Sequence, residues 1–416
     1  MFLTEEELVN NTETKNFSQN VSSSYHLEDR GKCNKSIFTH TCNAPKLRFK
    51  GYNDEWVEYQ LGKICKTYSG GTPNVSNLNF YNGLIPFIKS GEIHSNQTAM
   101  YITEEGLKNS SAKLVNKGDL LFALYGATSG EVDISKIDGA INQAILCVKS
   151  NYINLIFLKE ILSFNKNKIL CKYLQGGQGN LSADIFKTLK FKFPTLREQE
   201  KIASFLTLID KKIEKQKELV ELLKKYKRGL LFSIFSQKLR FKDNNGNDYP
   251  AWEEKRLENI LKIKHGKSQK EIECNNGEYP ILATGGEIGR TNSYLWDKPC
   301  VLIGRKGTID KPQYMDTPFW TVDTLFYSEV FKENNAKYLY YLFNTINWKK
   351  YDESTGVPSL SAKTIERIKV TLSISNTEQT IISKILSKFD NKIQQEECIL
   401  SNLQTYKKGL LQQMFI

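Results

Sequence analysis

The residues of this 416-residue chain best suited to chemistry are glycines flanked by hydroxyls and cations, and the chemistry they offer is contact with an anion. Without a Cβ, the backbone N–H groups of such a loop can approach a phosphate closely. Ser69, Gly70, Gly71 and Thr72 make one such loop, with Lys89 and Ser90 further on. Lys264, Lys267, Thr284 and Gly285 are the corresponding set later in the chain. A second kind of position follows an apolar run, where Tyr125 in Leu124-Tyr125-Gly126-Ala127-Thr128 aligns with Arg305, followed by Lys306, in Gly304-Arg305-Lys306-Gly307-Thr308. A guanidinium there supplies a rigid fork of donors, and a tyrosine supplies a hydroxyl and a stacking face. Each of these has a plain alternative, an ordinary turn carrying solvated cations. Tyr68, Tyr81 and Trp320 are further candidates for ring contacts, with core packing as the commoner role.

Residues that make or break bonds are missing. There is no N-P-P-[YFW] or D-P-P-Y amine-methylation motif and no glycine-rich adenosylmethionine loop. Gly266-Lys267-Ser268 resembles the end of a phosphate-binding loop, but Leu261 stands where its first glycine is required. The four histidines are scattered, and the eight cysteines show no C-x-x-C pair. Cys33 and Cys42 with His26 and His40 imitate a zinc site, yet their spacing matches no common finger. The expectation is a chain with no catalytic site, no metal and no cofactor of its own.

The formal net charge is +12, and residues 1–45 carry six acids against four bases, so the rest of the chain holds +14. Such a balance suits a polyanionic partner. No stretch reaches the ~20 apolar residues that span a bilayer, and the acidic, polar start is unlike a signal peptide. A cytoplasmic protein without membrane contact is expected.

The loops are carried on a chain that is written twice. KLRFK at 46–50 returns at 238–242, each followed by a tryptophan, in EWVEYQLGKI (55–64) and AWEEKRLENI (251–260). IPFIKSGEI (85–93) corresponds to YPILATGGEI (279–288), and the segment ending in Leu181-Ser182 to that ending in Leu360-Ser361. REQEKIASFLTLIDKKIEKQ (197–216) aligns without gaps to TEQTIISKILSKFDNKIQQE (377–396). Apolar runs such as LIPFIKS, DLLFALYG, AILCVKS, PCVLIGR and TLFYSEV, bounded by Gly, Pro and Asn, read as strands. Helix-like stretches sit between them at 153–164 and 336–347.

The tail of each copy reads as a long helix. Ile202, Phe205, Ile209, Leu219, Leu223, Tyr226 and Leu230 fall on alternating steps of three and four, the pattern of a coiled-coil seam. Ile382, Ile385, Phe389, Ile399, Leu403, Tyr406 and Leu410 repeat it. Both seams are interrupted at the same place, by Lys212 and Gln216 and by Lys392 and Glu396, with Ile213 and Ile393 beside the break. About thirty residues at 1.5 Å each give rods of roughly 45 Å. The equal length and identical break favour two helices paired antiparallel, the alternative being that each folds onto its own domain.

The expected fold is therefore mixed α/β (α+β), with duplicated bodies over 46–195 and 237–375 joined by coiled-coil helices over 196–236 and 376–416. Residues 1–45 read as a mobile arm or as an extension upstream of the true start. In this order and twice over, the L-R-F opening with its tryptophan, the GGTP loop (70–73), the Leu-Ser segments and the two E-Q-x-x-I helices resemble the specificity subunits of type I restriction-modification systems, across 46–416. The first forty-five residues and the absence of GGTP from the second half, where KIKHGKSQK (262–270) stands, depart from that pattern.

The resemblance implies two target-recognition domains, each reading half of a split double-stranded DNA site. It also implies helices that set the half-site separation and dock two modification (methyltransferase) subunits, with restriction (motor-nuclease) subunits joining. Adenosylmethionine is then expected on the modification subunit, and ATP and Mg on the restriction subunit. The glycine loops become phosphate contacts, and Arg305 a reader of guanine edges. Two other readings are a coiled-coil adaptor without a nucleic-acid role and a fused restriction-modification enzyme with a cryptic catalytic part.

Overall fold

A computed structural model describes residues 27–29, 45–173 and 180–415, which fall into two compact units. One unit holds the described residues up to Lys215 together with those from Leu400 onward, and the other holds Gln216–Ile399. The arm expected over 1–45, with its candidate zinc ligands, lies outside the described residues apart from Pro45 and a strand, Leu27–Asp29, that pairs antiparallel with Leu47–Phe49.

In the first unit Lys66–Ser69, Ile145–Lys149, Leu120–Ala123 and Val132–Ile134 form one antiparallel sheet in that order. A second sheet runs Tyr101–Ile102, Tyr81–Ile88, Gly139–Ile141, Lys113–Val115, with one parallel pair in its middle. The other unit repeats the plan. Leu261–Lys264, Leu325–Val330, Cys300–Gly304 and Gln313–Met315 form its antiparallel sheet, and Gly286–Thr291, Tyr279–Ala283 and Trp320–Thr321 its smaller mixed one. The central strands are unbroken apolar runs because both of their faces are covered: all of Leu120–Ala123 and all of Cys300–Gly304 are buried. One covering element is a helix, Leu155–Tyr173 in the first body and Ala336–Phe343 in the second.

The two tails are helices of 40 and 39 residues, Leu196–Phe235 and Asn376–Met414. At 1.5 Å per residue each is about 60 Å long, more than the ~45 Å read from the repeat. They pair antiparallel within each unit. In one unit Gln216 meets Glu396 and Lys227 meets Asp390; in the other Lys407 meets Asp210 at 2.6 Å.

The seam differs from the expected one in phase. Leu206, Ile209, Ile213, Gln216, Val220, Leu223, Lys227, Leu230 and Ile234 are buried or half-buried at alternating three- and four-residue steps. The second helix repeats this from Leu386 to Met414. Ile209, Leu223, Leu230, Phe389, Leu403 and Leu410 therefore keep the expected place, and Tyr226, though half exposed, stacks on Phe389 of the facing helix at 5.4 Å. Phe205, Leu219, Ile385 and, most clearly, Ile399 and Tyr406 do not keep it. Phe205 and Ile385 are buried, but in the bodies: the Phe205 ring packs edge-on against Phe49 at 5.5 Å. Ile202 and Ile382 are likewise buried within those clusters. Leu219 is half-buried beside the seam residue Val220. Tyr226, Ile399 and Tyr406 are 46%, 43% and 54% exposed. The reason is that Lys227 and Lys407 take the seam positions, burying their stems while their ammonium groups reach Asp390 and Asp210. Ile213 and Ile393 belong to the seam, and the polar layer is Gln216 with Glu396.

Each body is locked to its helix by residues that the repeat marked in sequence. Arg48 of the first L-R-F donates Nε and one terminal N–H to the two carboxylate oxygens of Glu198, at 2.7 Å each, and both side chains are buried. Arg240 reaches Glu378 in the same way, at 3.0 Å from Nε. The adjacent glutamines act in parallel, Gln199 Oε1 accepting from the backbone N–H of Asn154 and Gln379 Oε1 from that of Asn335. Both asparagines in turn accept N–H groups from the first turns of the body helices.

The polar layer has a pH signature. Burial opposes ionisation of Glu396, but the Lys392 ammonium at 2.8 Å and the Gln216 amide outweigh it and hold this carboxyl below its usual range. A pKa lowered by folding contributes stability above the unfolded value, near ~4.3 for glutamate, and that contribution is lost as pH falls through the folded value. Glu396→Gln is thus expected to destabilise at pH 7 and to destabilise less at pH 3, below the unfolded value. Urea titrations at both pH values check this, and an equal gap at each would contradict it.

Candidate nucleic-acid interface

The glycines of the first loop serve the protein's own packing. A Cβ on Gly70 would lie 1.8 Å from the Ile141 carbonyl oxygen, and one on Gly71 would lie 1.9 Å from Ser111 Oγ. The Gly71 N–H donates to that same Ile141 oxygen at 3.2 Å. This corrects the expected role of Gly71, whose N–H is committed internally and whose residue is buried. The loop still presents Ser69 and Thr72, both exposed, and the Thr72 hydroxyl donates to Gln143 Oε1 at 2.7 Å. Lys89 is exposed and precedes a short turn, Ser90–Glu92, whose Glu92 accepts the Lys89 backbone N–H at 3.1 Å.

The second body rebuilds this loop from other residues. The Lys267 N–H donates to the Thr321 carbonyl at 2.8 Å, and a Cβ on Gly266 would lie 2.2 Å from the Val322 oxygen. Gly266-Lys267 thereby repeats the turn of Gly70-Gly71, although GGTP itself is absent. The Lys267 side chain is exposed and has no ion-pair partner among the described residues, whereas Lys264 is paired with Glu329 at 3.0 Å and partly buried. Two of the candidate aromatics brace these turns, and the third, Tyr68, ties its strand to Lys113–Val115. Tyr81 donates its hydroxyl to the Pro73 carbonyl at 2.6 Å, Trp320 its Nε1–H to the Lys267 carbonyl at 2.9 Å, and Tyr68 its hydroxyl to the Leu114 carbonyl at 2.9 Å. Burial, helped by Cys147 and Asp119 nearby, pushes the Tyr68 hydroxyl up in pKa and keeps it a donor.

The strand-end turns come next. Tyr125 is half-buried against the first core, and Arg305 is half-buried with its guanidinium paired to Asp323. The Leu-Ser segments close over both turns: Leu181 N–H donates to the Leu124 carbonyl and Leu360 N–H to that of Arg305, each at 2.9 Å. Ser182 and Ser361 then cap short helices, Ala183–Thr188 and Ala362–Arg367. In the second body this closure leaves a cleft of about 330 Å³ whose lining includes His265, Arg305, Lys306, Glu353 and Lys363. Lys306 and Lys363 point no ion pair at any described residue. Thr284 belongs to the same cluster, its Oγ1 lying 3.8 Å from where a Cβ on Gly307 would stand, and Gly285 is exposed beside it.

Two residues of these clusters escaped the sequence reading. Gln143 and Asp323 are exposed on equivalent turns, in INQAILCV (141–148) and TVDTLFYS (321–328), and the signal was their shared offset of 180 with the strands that follow. Among the described residues no group of three or more His, Cys, Asp or Glu could hold a metal ion, and no helix is long and apolar enough to cross a membrane.

Comparison with known proteins gives a consistent answer. The family model of the type I restriction modification DNA specificity domain matches twice, at residues 53–224 and 250–405. The type I restriction enzyme MjaIX specificity subunit of Methanocaldococcus jannaschii is 27% identical over 256 residues, which is 55% of this chain and 57% of that protein. The EcoR124I/EcoR124II specificity subunit of Escherichia coli is 28% identical over 217 residues, 46% of this chain and 54% of its own. The chain thus spans about half the length of the curated relatives it matches. A crystal structure of the type I restriction-modification S subunit from M. genitalium superposes with a TM-score of 0.64 at 19% identity, over 90% of this chain and 99% of that one. At that identity the likeness is one of fold.

Proposed function

Because the chain belongs to the type I restriction modification DNA specificity family, we propose that it is a non-catalytic DNA-binding subunit whose two bodies each read one half of a split, asymmetric target. The observation that carries this is one scaffold used twice with different side chains at matching turns: Tyr125 against Arg305, Gln143 against Asp323 and Thr72 against Ser268. Exposed Lys89, Lys267 and Lys306 near these turns contact phosphates, which position the complex without specifying sequence. The paired helices fix the gap between half-sites and dock two modification subunits, which bring adenosylmethionine. Restriction subunits, with ATP and Mg, complete the assembly. Ile399 and Tyr406, left exposed by the seam, are the partner-facing candidates on those helices.

The test is methylome sequencing of a host without other methylation, expressing the chain with and without its modification subunit. A motif of two short half-sites with a fixed gap, appearing only when both proteins are present, is the expected result. Methylation by the chain alone would make it an enzyme. No methylation with a partner proven active would favour a coiled-coil adaptor.

A further inference from the structure

The equivalent turn positions 143 and 323 carry an inference that rests on the DNA-reading function above and deepens it. Each turn is closed by the same backbone bond, from Ile145 N–H to the Asn142 carbonyl and from Leu325 N–H to the Val322 carbonyl. Each also abuts the glycine loop through the bonds already described, Gly71 to Ile141 and Lys267 to Thr321. What differs is the side chain each turn presents and what holds it. Gln143 is exposed, and its Oε1 accepts from Thr72, which leaves a second lone pair on that oxygen and both Nε2 protons without a partner among the described residues. Asp323 is exposed and holds one terminal nitrogen of Arg305, which tethers the guanidinium beside the turn while its remaining N–H groups stay free of bonds to described residues.

These are two distinct hydrogen-bonding instruments. An amide with one acceptor and one donor side by side matches adenine at N6 and N7, and a guanidinium fork matches guanine at O6 and N7. A carboxylate that orients the arginine removes much of its rotamer freedom before DNA arrives, so less order is lost on binding. We propose that Gln143 reads an adenine in the half-site of the first body, and that Arg305, positioned by Asp323, reads a guanine in the half-site of the second. Thr72 is the positioning partner of Gln143 as Asp323 is of Arg305.

The experiment is the same methylome assay, with the full chain and its modification subunit carrying Gln143→Ala, Arg305→Ala, Arg305→Lys or Asp323→Asn. Wild type must first yield a bipartite motif; if it does not, the DNA-reading function itself fails. Given that motif, Gln143→Ala is expected to relax one adenine in one half-site only. Arg305→Ala is expected to relax one guanine in the other by roughly ten- to a hundredfold in preference. Arg305→Lys, which keeps the charge but loses the fork, is expected to relax the same guanine, and Asp323→Asn to do so more weakly. The other bases of the altered half-site, still read, report that the variant body is folded. Four outcomes overturn the inference: an unchanged motif, uniformly weaker methylation of the same motif, full retention by Arg305→Lys, or a wild-type motif lacking guanine in one half-site or adenine in the other.

Discussion

Replacing Glu198 with alanine is expected to destabilise the first unit by about 3–5 kcal/mol, because it leaves Arg48 charged, buried and without a counter-ion. Arg48 is 8% exposed, so water cannot easily take the place of the carboxylate. The pair itself contributes far less than that figure, since desolvating both ions offsets most of their attraction. Arg48→Met with Glu198→Leu is therefore expected to recover most of the loss. The second unit should behave differently. Glu378 also accepts from Trp252 Nε1 at 2.9 Å and from the Ser373 hydroxyl, so Arg240→Met with Glu378→Leu strands the buried Trp252 donor, leaves Ser373 only a long bond of 3.4 Å to the Ser375 carbonyl, and does not rescue. Urea titration followed by hydrogen exchange of peptides from each unit reads the two separately, as two units need not unfold in one step. Equal rescue in both units would mean that the carboxylate at each joint serves its arginine alone.

These joints show what could be read in the sequence and what could not. The L-R-F and E-Q motifs were visible as repeated text, but nothing in the text couples Arg48 to Glu198, 150 residues away. Strands such as Leu120–Ala123 and Cys300–Gly304 were legible because a run buried on both faces is continuously apolar. The seam was legible in period but misread in phase at alternate positions. A tyrosine looks more buried than a lysine, yet Lys227 and Lys407 can lie along the seam by sending their ammonium groups to aspartates on the facing helix. The glycine loop was legible as a place of close approach, but the approaching groups at Gly70 and Gly71 are the chain's own Ile141 and Ser111, since a glycine needed for close approach does not say what approaches. Gln143 and Asp323 are single polar residues on turns, a class of position that has no periodicity to betray it.

The corrected phase makes a second large prediction, because neighbouring residues on one helix should respond in opposite ways. Val220 is 3% exposed and Leu222 is 63% exposed. Val220→Asp is expected to cost about 3–5 kcal/mol, the scale of an uncompensated buried charge, while Leu222→Asp should stay within ~0.5 kcal/mol. Had the expected phase been right, Leu219→Asp would carry the large effect in place of Val220→Asp. Tyr406→Asp separates pairing from docking. With 54% of its surface exposed, Tyr406 contributes little to the fold, so this variant should unfold at nearly the wild-type urea concentration. If the exposed aromatics of the helices meet the modification subunits, the same variant is expected to elute apart from them on size-exclusion chromatography. Co-elution at wild-type levels would move the docking surface away from Tyr406, and a fall in stability comparable to that of Val220→Asp would return the tyrosine to the seam.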